Sequence, residues 1–559
     1  MLNLFIFRRD LRMVDNTTLI KMIKDNKSII PIFIFTPEQI DSKKNKYFSN
    51  NSVQFMIESL LELNKELKKF KSKIYFFYGE NNDVINQINE VVPISSIGFN
   101  LDYSPYAIKR DDKIKKFCKK NNIKLYSEED YSLYPIMDDT TWSKSGKPYT
   151  VFTPFKKNLY NNHKVRDPDK FNKFNFKKEE KLKQVKSYLK IKKINDFYIK
   201  NDHINVEGGR KNALKILKNL LNWKKYNTSR NCMEYQTTFL SAYLHFNVVS
   251  IRETYYKMVE KLGKNNLLID EIHWRDFYMN ISYNFPNVLK GMISKKNISF
   301  REDYDKIKWS KSKKKLKAWT QGKTGYPIVD ACMMQLNTTG YMHNRGRMIV
   351  ASFLTKHLLI DWREGEKYFA TKLVDYDCHS NNGGWQWSSG SGTDAQPYFR
   401  IFNPWTQSKK FDPDASYIKK WLPVFKDVAQ LGAVFLFFII GMEMRPKNML
   451  LLGRGTISAV GLLVPVTMLF TFFGIWLLAN AGLWTGGSDG NLDSWIFFAA
   501  ALNCIGVCTN NIFVSPKLRE PQSKVQISGN NSSTCSKRSR ACTISVLGPI
   551  GFKGSFPSP

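Results

Sequence analysis

Residues 325–404 carry five blocks. They read Gly325-Tyr-Pro-Ile-Val-Asp330, Tyr341-Met-His-Asn344-Arg345-Gly-Arg347-Met348, Asp361-Trp362-Arg-Glu-Gly-Glu366, Asn381-Asn-Gly-Gly-Trp385-Gln-Trp387 and Pro397-Tyr-Phe-Arg400-Ile-Phe-Asn-Pro404. Asn344 and Met348 stand at i, i+4, so one helix face carries an amide and a thioether. Strand signals fade from about residue 205 to 425, where long helical segments rich in Trp, Tyr and Arg take over. That half of the chain reads as an all-α domain. Just upstream, Glu271, Trp274, Arg275 and Tyr278 fall at i, i+3, i+4 and i+7. One helix face there offers an acid, a flat ring, a cation and a phenol. Taken alone, this second pattern fits a structural salt-bridge face with aromatic packing better than a site.

The first 130 residues alternate between short apolar runs and helical patterns. The runs are Leu4–Phe7, Ile29–Phe35, Ile74–Tyr78, Ile97–Phe99 and Ile123–Tyr126. Such alternation predicts a five-stranded, parallel, doubly wound α/β sheet. No Gly-x-Gly-x-x-Gly follows the first run, so ordinary dinucleotide binding is not indicated. The expected domains are an α/β domain over 1–134, a connection over 135–200 and an all-α domain over 201–427. Beyond that point the composition changes. Residues 428–514 are apolar and membrane-like, and 515–559 are Ser-, Lys- and Pro-rich and read as disordered. The run Ile457–Trp484 is long enough to span a bilayer.

The formal net charge of +36, from 85 Lys and Arg against 49 Asp and Glu, favours a polyanionic partner. The Lys, Asn and Ile richness of residues 1–425 also fits an AT-rich genome. The eight cysteines are scattered, with no pair of zinc-site pairs, so no metal is expected. Their spacing and the strand-like start predict an intracellular protein, cytoplasmic or nuclear and not secreted.

With Phe7-Arg8-Arg9-Asp10-Leu11-Arg12 and Asp15-Asn16 added, these blocks resemble the photolyase/cryptochrome family over roughly the first 425 residues. Within that family they look like class I photolyases acting on cyclobutane pyrimidine dimers. The resemblance implies a bent FAD in the all-α domain. Tyr226, Thr237, Thr238, Leu240 and Ser241 would meet its phosphates and sugar, although Phe239 stands where the family commonly has Arg. Arg275, Arg347, Asp375, Asp377, Asn381 and Trp385 would line the ring and ribose, with Asn344 beside them. Asn381 matches the position facing flavin N5, where a neutral amide favours the anionic reduced ring.

Glu271, Trp274, Asn344, Met348 and Trp387 match the lesion pocket. Indoles and a thioether would hold flipped bases there, while an acid and an amide pair with base edges. Trp385, Trp362 and Trp309 match the electron-relay tryptophans. The implied reaction is blue-light repair of dimers in UV-damaged DNA, by electron transfer from reduced FAD and back. The expected protein is a monomer; the resemblance leaves open whether an antenna chromophore, folate or deazaflavin, is added to the FAD. One alternative is a cryptochrome-type receptor without repair activity, against which Asn381 and Met348 argue. The tail looks like a cation/proton antiporter fragment, a fusion of unrelated reading frames with membrane contact only if it is real. Its three apolar runs are too few for a transporter.

Overall fold

The computed structural model describes residues 1–25, 28–290, 299–395, 397 and 399–422. Met1–Leu431 forms one unit and Gly432–Pro559 a second. The readings made for residues 428–559 lie outside the described residues. Among the described residues no helix is long and apolar enough to cross a membrane.

The five apolar runs become β1 (Leu2–Phe7), β2 (Ile30–Phe35), β3 (Tyr75–Tyr78), β4 (Ile94–Asn100) and β5 (Lys124–Glu128). β2 is buried along its whole length and β1 at every position but Asn3. Burial on both faces is why these strands read as continuous apolar runs. A sixth strand, β6 (Tyr188–Leu189), was not anticipated. The order is β5-β4-β1-β2-β3-β6. β1 to β5 pair in parallel, with Leu4 opposite Ile30 on one side and Ile97 on the other. β6 runs antiparallel, placing Tyr188 opposite Phe77. The five-stranded parallel expectation thus becomes five parallel strands plus one antiparallel edge.

The 135–200 segment is more ordered than a surface connection. It supplies β6 and the helix α1 (Phe152–Asn162). It also buries Phe155, Leu159, Val165, Phe176, Leu182 and Ile194. These apolar residues are spaced irregularly among lysines, and short 3-10 turns give no 3.6-residue period, so the pattern was faint.

The helical half places its key residues on α2 (Leu267–Asn284), α3 (Asn344–Ser352), α4 (Trp362–Lys372) and α5 (Cys378–Ser389). α5 packs against α2, α3 and α4. An added Cβ at Gly383 would lie 2.2 Å from the Tyr278 ring, and one at Gly365 2.1 Å from Trp385. Those two glycines are what let α5 sit so close to α2 and α4.

Four buried charges join the two halves. Arg252 donates from Nε to Asp15 at 2.8 Å and from Nη2 to Asp130 at 2.7 Å. Arg12 meets the other oxygen of Asp130 at 2.6 Å. Ser250 Oγ bonds Asp15, and Arg12 Nη1 reaches the Asn247 carbonyl at 3.1 Å. Burial alone would raise the Asp130 carboxyl, but Arg12 and Arg252 hold it well below the usual carboxylate range.

Candidate functional site

On α2 the spacing read from sequence holds. Glu271, Trp274, Arg275 and Tyr278 are half-buried along one face, while Ile272, His273, Asp276 and Phe277 are buried behind them. Glu271 meets the Tyr226 phenol at 3.4 Å and Arg230 at 3.4 Å. Burial raises its pKa, and Arg230 and Tyr226 oppose that rise. Arg275 binds backbone carbonyls of both halves, Tyr131 and Leu244. Trp274 lies flat against Phe152 of α1.

α3 starts on His343, whose Nδ1 accepts from the Arg345 N–H at 3.1 Å. Burial, with Arg345 and Arg347 nearby, lowers the pKa of His343 to about 4. That imidazole is therefore a neutral cap. Asn344 is exposed at the start of α3, and Met348 is half-buried one turn on. Arg347 donates from Nη2 to both oxygens of Asp375 at 3.1 and 2.8 Å. Its guanidinium also lies 5.2 Å from the Tyr341 ring centre.

Tyr341 extends this set toward the second group of sequence candidates. Its phenol and the Thr237 hydroxyl are 2.9 Å apart, and Phe239 packs edge-on against its ring. Thr238 Oγ1 accepts from the Leu240 N–H at 3.4 Å. The Leu240 side chain belongs to the apolar core, and Ser241 is exposed.

α5 carries the rest. Asp377 caps it, accepting from the Ser380 N–H at 3.0 Å. The same carboxyl pairs with Arg9 at 3.1 Å and approaches His245 Nδ1 at 3.5 Å. Burial would raise its pKa, but His379, His245 and Arg9 hold it well below the usual range. His379 lies 4.0 Å from Asp102, which also pairs with Arg9 at 2.8 Å. Burial disfavours the His379 cation, yet Cys378 and Asp377 push its pKa up to about 10.

Asn381 donates its amide to Glu366 Oε1 at 3.0 Å and to the Glu366 carbonyl at 3.2 Å. Its oxygen is thereby turned away from Glu366 as an acceptor. Tyr376 donates to the same Glu366 Oε1 at 3.2 Å. Burial raises Glu366 to about 7, against those two hydrogen bonds. A carboxyl raised in the folded state stabilises the fold below its unfolded pKa of about 4.5, and that stability is lost as pH rises through about 7. Glu366→Gln should therefore flatten the fall in thermal midpoint across that window. A profile as steep as the unsubstituted chain's would show that Glu366 titrates normally.

Gly384 stands one turn beyond Asn381, and a Cβ there would meet nothing within 4 Å. The guanidinium groups of Arg275 and Arg347 and the amide and hydroxyl groups of Asn381, Asn344 and Thr237 are the chemistry that a flat ring with polar edges and an anionic tail requires. Trp387 is half-buried farther along α5. Trp385 and Trp362 are buried in one apolar cluster, with Trp309 packed on it half-buried. Trp385 sits edge-on to Phe369 at 5.0 Å and to Trp319 at 6.0 Å.

Sequence reasoning did not assign Glu366, Arg9, Arg230 or Phe152. Glu366 lies within a quoted block, and its distance from Trp362 (i, i+4) was the available signal. A further set of polar groups lies where the sheet order reverses at β1, a usual ligand crevice in such sheets. Arg8 pairs with Asp111 at 2.8 Å and covers the Phe99 ring at 3.9 Å. Arg8 Nε and Nη2, Arg110 Nη2 and Asp111 Oδ2 are buried there without partners. Asn100 and Tyr103, by contrast, are spent on internal hydrogen bonds.

Two family descriptions match this chain, DNA photolyase over residues 3–173 and the FAD binding domain of DNA photolyase over 268–434. The second match runs past the composition change at 428. The deoxyribodipyrimidine photo-lyase of Buchnera aphidicola subsp. Baizongia pistaciae is 35% identical over 76% of this chain and 90% of its own length. The crystal structure of an archaeal photolyase from Sulfolobus tokodaii with two FAD molecules superposes with a TM-score of 0.67 at 39% identity. It covers 77% of this chain and 91% of that one. A class III photolyase from Agrobacterium tumefaciens gives a TM-score of 0.65 at 31% identity, covering 76% of this chain and 87% of that one. The chain belongs to the DNA photolyase family.

Proposed function

We propose that this chain is a deoxyribodipyrimidine photo-lyase of the class I type, using light to open cyclobutane pyrimidine dimers in DNA. FAD, when bound and reduced, supplies the light absorption and the electron that opens the cyclobutane ring and then returns. The protein's part is to hold, orient and exclude water. Arg275, Arg347 and Asp377 hold the ring's surroundings in fixed charge. The observation that carries the reading is the Asn381 amide, whose nitrogen donates to both the side chain and the carbonyl of Glu366, so that the polar group it has left to offer a flavin is an acceptor oxygen and not a proton donor. Trp274, Trp387 and Met348 offer flat or soft surfaces to flipped bases, and Glu271 and Asn344 offer polar edges. Arg345 lies within the field of Arg230 and Arg400, both of which, after burial, lower its pKa. Such a group suits a phosphate backbone. The single histidine of this region, His343, is a buried neutral cap, which favours cyclobutane dimers over (6-4) lesions.

The direct test is repair of an oligonucleotide carrying one dimer, in the dark and under blue light. A reduced, flavin-loaded protein that binds the dimer and leaves it intact in light would favour the cryptochrome reading. Trp309→Phe is expected to block light-driven reduction of oxidised flavin while sparing repair after chemical reduction. Equal losses in both assays would make Trp309 structural.

The unpartnered groups around Arg8, Arg110 and Asp111 favour an antenna chromophore at the β1 crevice. The protein is read as an intracellular monomer. Residues after about 428 are read as a foreign, antiporter-like addition, and every FAD, lesion-pocket and electron-relay residue named from the sequence precedes 388. Transcript sequencing across residues 424–434 tests that fusion; an uninterrupted native transcript removes it.

A further inference from the structure

α1 belongs to the connecting segment, yet its first residue stands against the lesion face of α2. The rings of Phe152 and Trp274 stack with centroids 3.7 Å apart and planes 8° apart. Tyr278 leans over Trp274 at 5.7 Å and 29°, and Phe277 meets the indole edge-on at 5.6 Å. Phe152 itself is 7% exposed.

Phe152 is held from two directions. Its backbone N–H donates to Asp394 Oδ2 at 3.2 Å, and the Thr393 hydroxyl donates to the Thr150 carbonyl. Residues 393 and 394 follow α5, so the segment before α1 is tied to the loop that leaves the Asn381 helix. One turn along, Lys156 pairs with Asp270 at 2.6 Å. Lys156 stands four residues after Phe152, and Asp270 four before Trp274. The two contacts therefore fix the register of α1 on α2.

We propose that Phe152 is a positioning residue for lesion recognition, fixing the plane of Trp274 so that a flipped base meets an indole already set in place. The inference rests on reading Trp274 as a wall of the lesion pocket. An indole on a helix has two torsions to lose when a ligand orders it, and a stacked partner removes that cost in advance. Phe152 covers one face of the ring, and the indole as a whole stays only half-buried, so part of it remains open to a base.

The test uses the full chain loaded with FAD. Phe152→Leu keeps an apolar side chain without a ring, and Phe152→Tyr keeps the ring. Phe152→Leu is expected to raise the Kd for dimer-containing duplex about two- to tenfold, the range of a stacked aromatic pair. Kd for undamaged duplex and the FAD-to-protein ratio should stay unchanged, and Phe152→Tyr should restore dimer affinity. In a Trp274→Ala background the Phe152→Leu change should have no further effect. Unchanged dimer affinity in Phe152→Leu, an equal loss for both duplexes, or the same loss in the Trp274→Ala background overturns the inference. Trp274→Ala keeping full dimer affinity would instead overturn the pocket reading, and this inference with it.

Discussion

Arg252→Ala should destabilise the folded chain by about 3–5 kcal/mol, the usual cost of breaking a buried ion pair from one side. Its guanidinium is 4% exposed and joins Asp15 and Asp130, both fully buried. With it gone, only Arg12 on Asp130 and the half-exposed Arg166, 3.4 Å from Asp15, remain to balance the two carboxylates. Water cannot reach them, so the uncompensated charge is expressed as lost stability. Arg252→Lys should recover part of the loss, since an ammonium cannot serve both carboxylates with a planar fork. Urea unfolding gives the measurement. A loss below about 1 kcal/mol would mean that the cluster is solvated or relaxes freely.

Glu271→Ala should weaken dimer binding by about 1.5–3 kcal/mol, or roughly 10- to 150-fold in Kd, as loss of a hydrogen bond to a charged group would. Stability should change little, because its partner Arg230 is 37% exposed and can turn to water. Glu271→Gln should fall between the two, keeping the shape but not the charge. Affinity for undamaged DNA should hold or rise slightly, since a negative group leaves a surface shared with cations. A Kd for dimer DNA equal to that of the unsubstituted chain would remove Glu271 from recognition.

Much of this architecture was legible because burial imposes simple patterns. β1 to β5 announce themselves as apolar runs, since both faces of a parallel sheet are covered. The α2 face was readable because a helix repeats its neighbours at three and four residues. β6 was not legible: two residues make no period, and Tyr188 and Leu189 sit among lysines. The stack of Phe152 on Trp274 was equally hidden, because their juxtaposition depends on how two segments 122 residues apart dock. Glu366 was visible as a residue but not as a partner of Asn381. A hydrogen bond between helices leaves no spacing in the chain. Arg9 was read as part of an opening turn, while its reach to Asp377 spans the two halves of the fold.

β6 has a consequence for synthesis. Its two residues close the outer edge of β3, at Phe76 and Phe77. On the ribosome β3 emerges first, and about 110 residues must follow before β6 does, which takes about 5–20 s at ordinary elongation rates. Through that interval the nascent chain carries an open, aromatic strand edge, the kind of edge that pairs with other chains. Soluble yield should therefore depend on how quickly residues 79–189 are translated and on whether a chaperone shields the growing chain meanwhile.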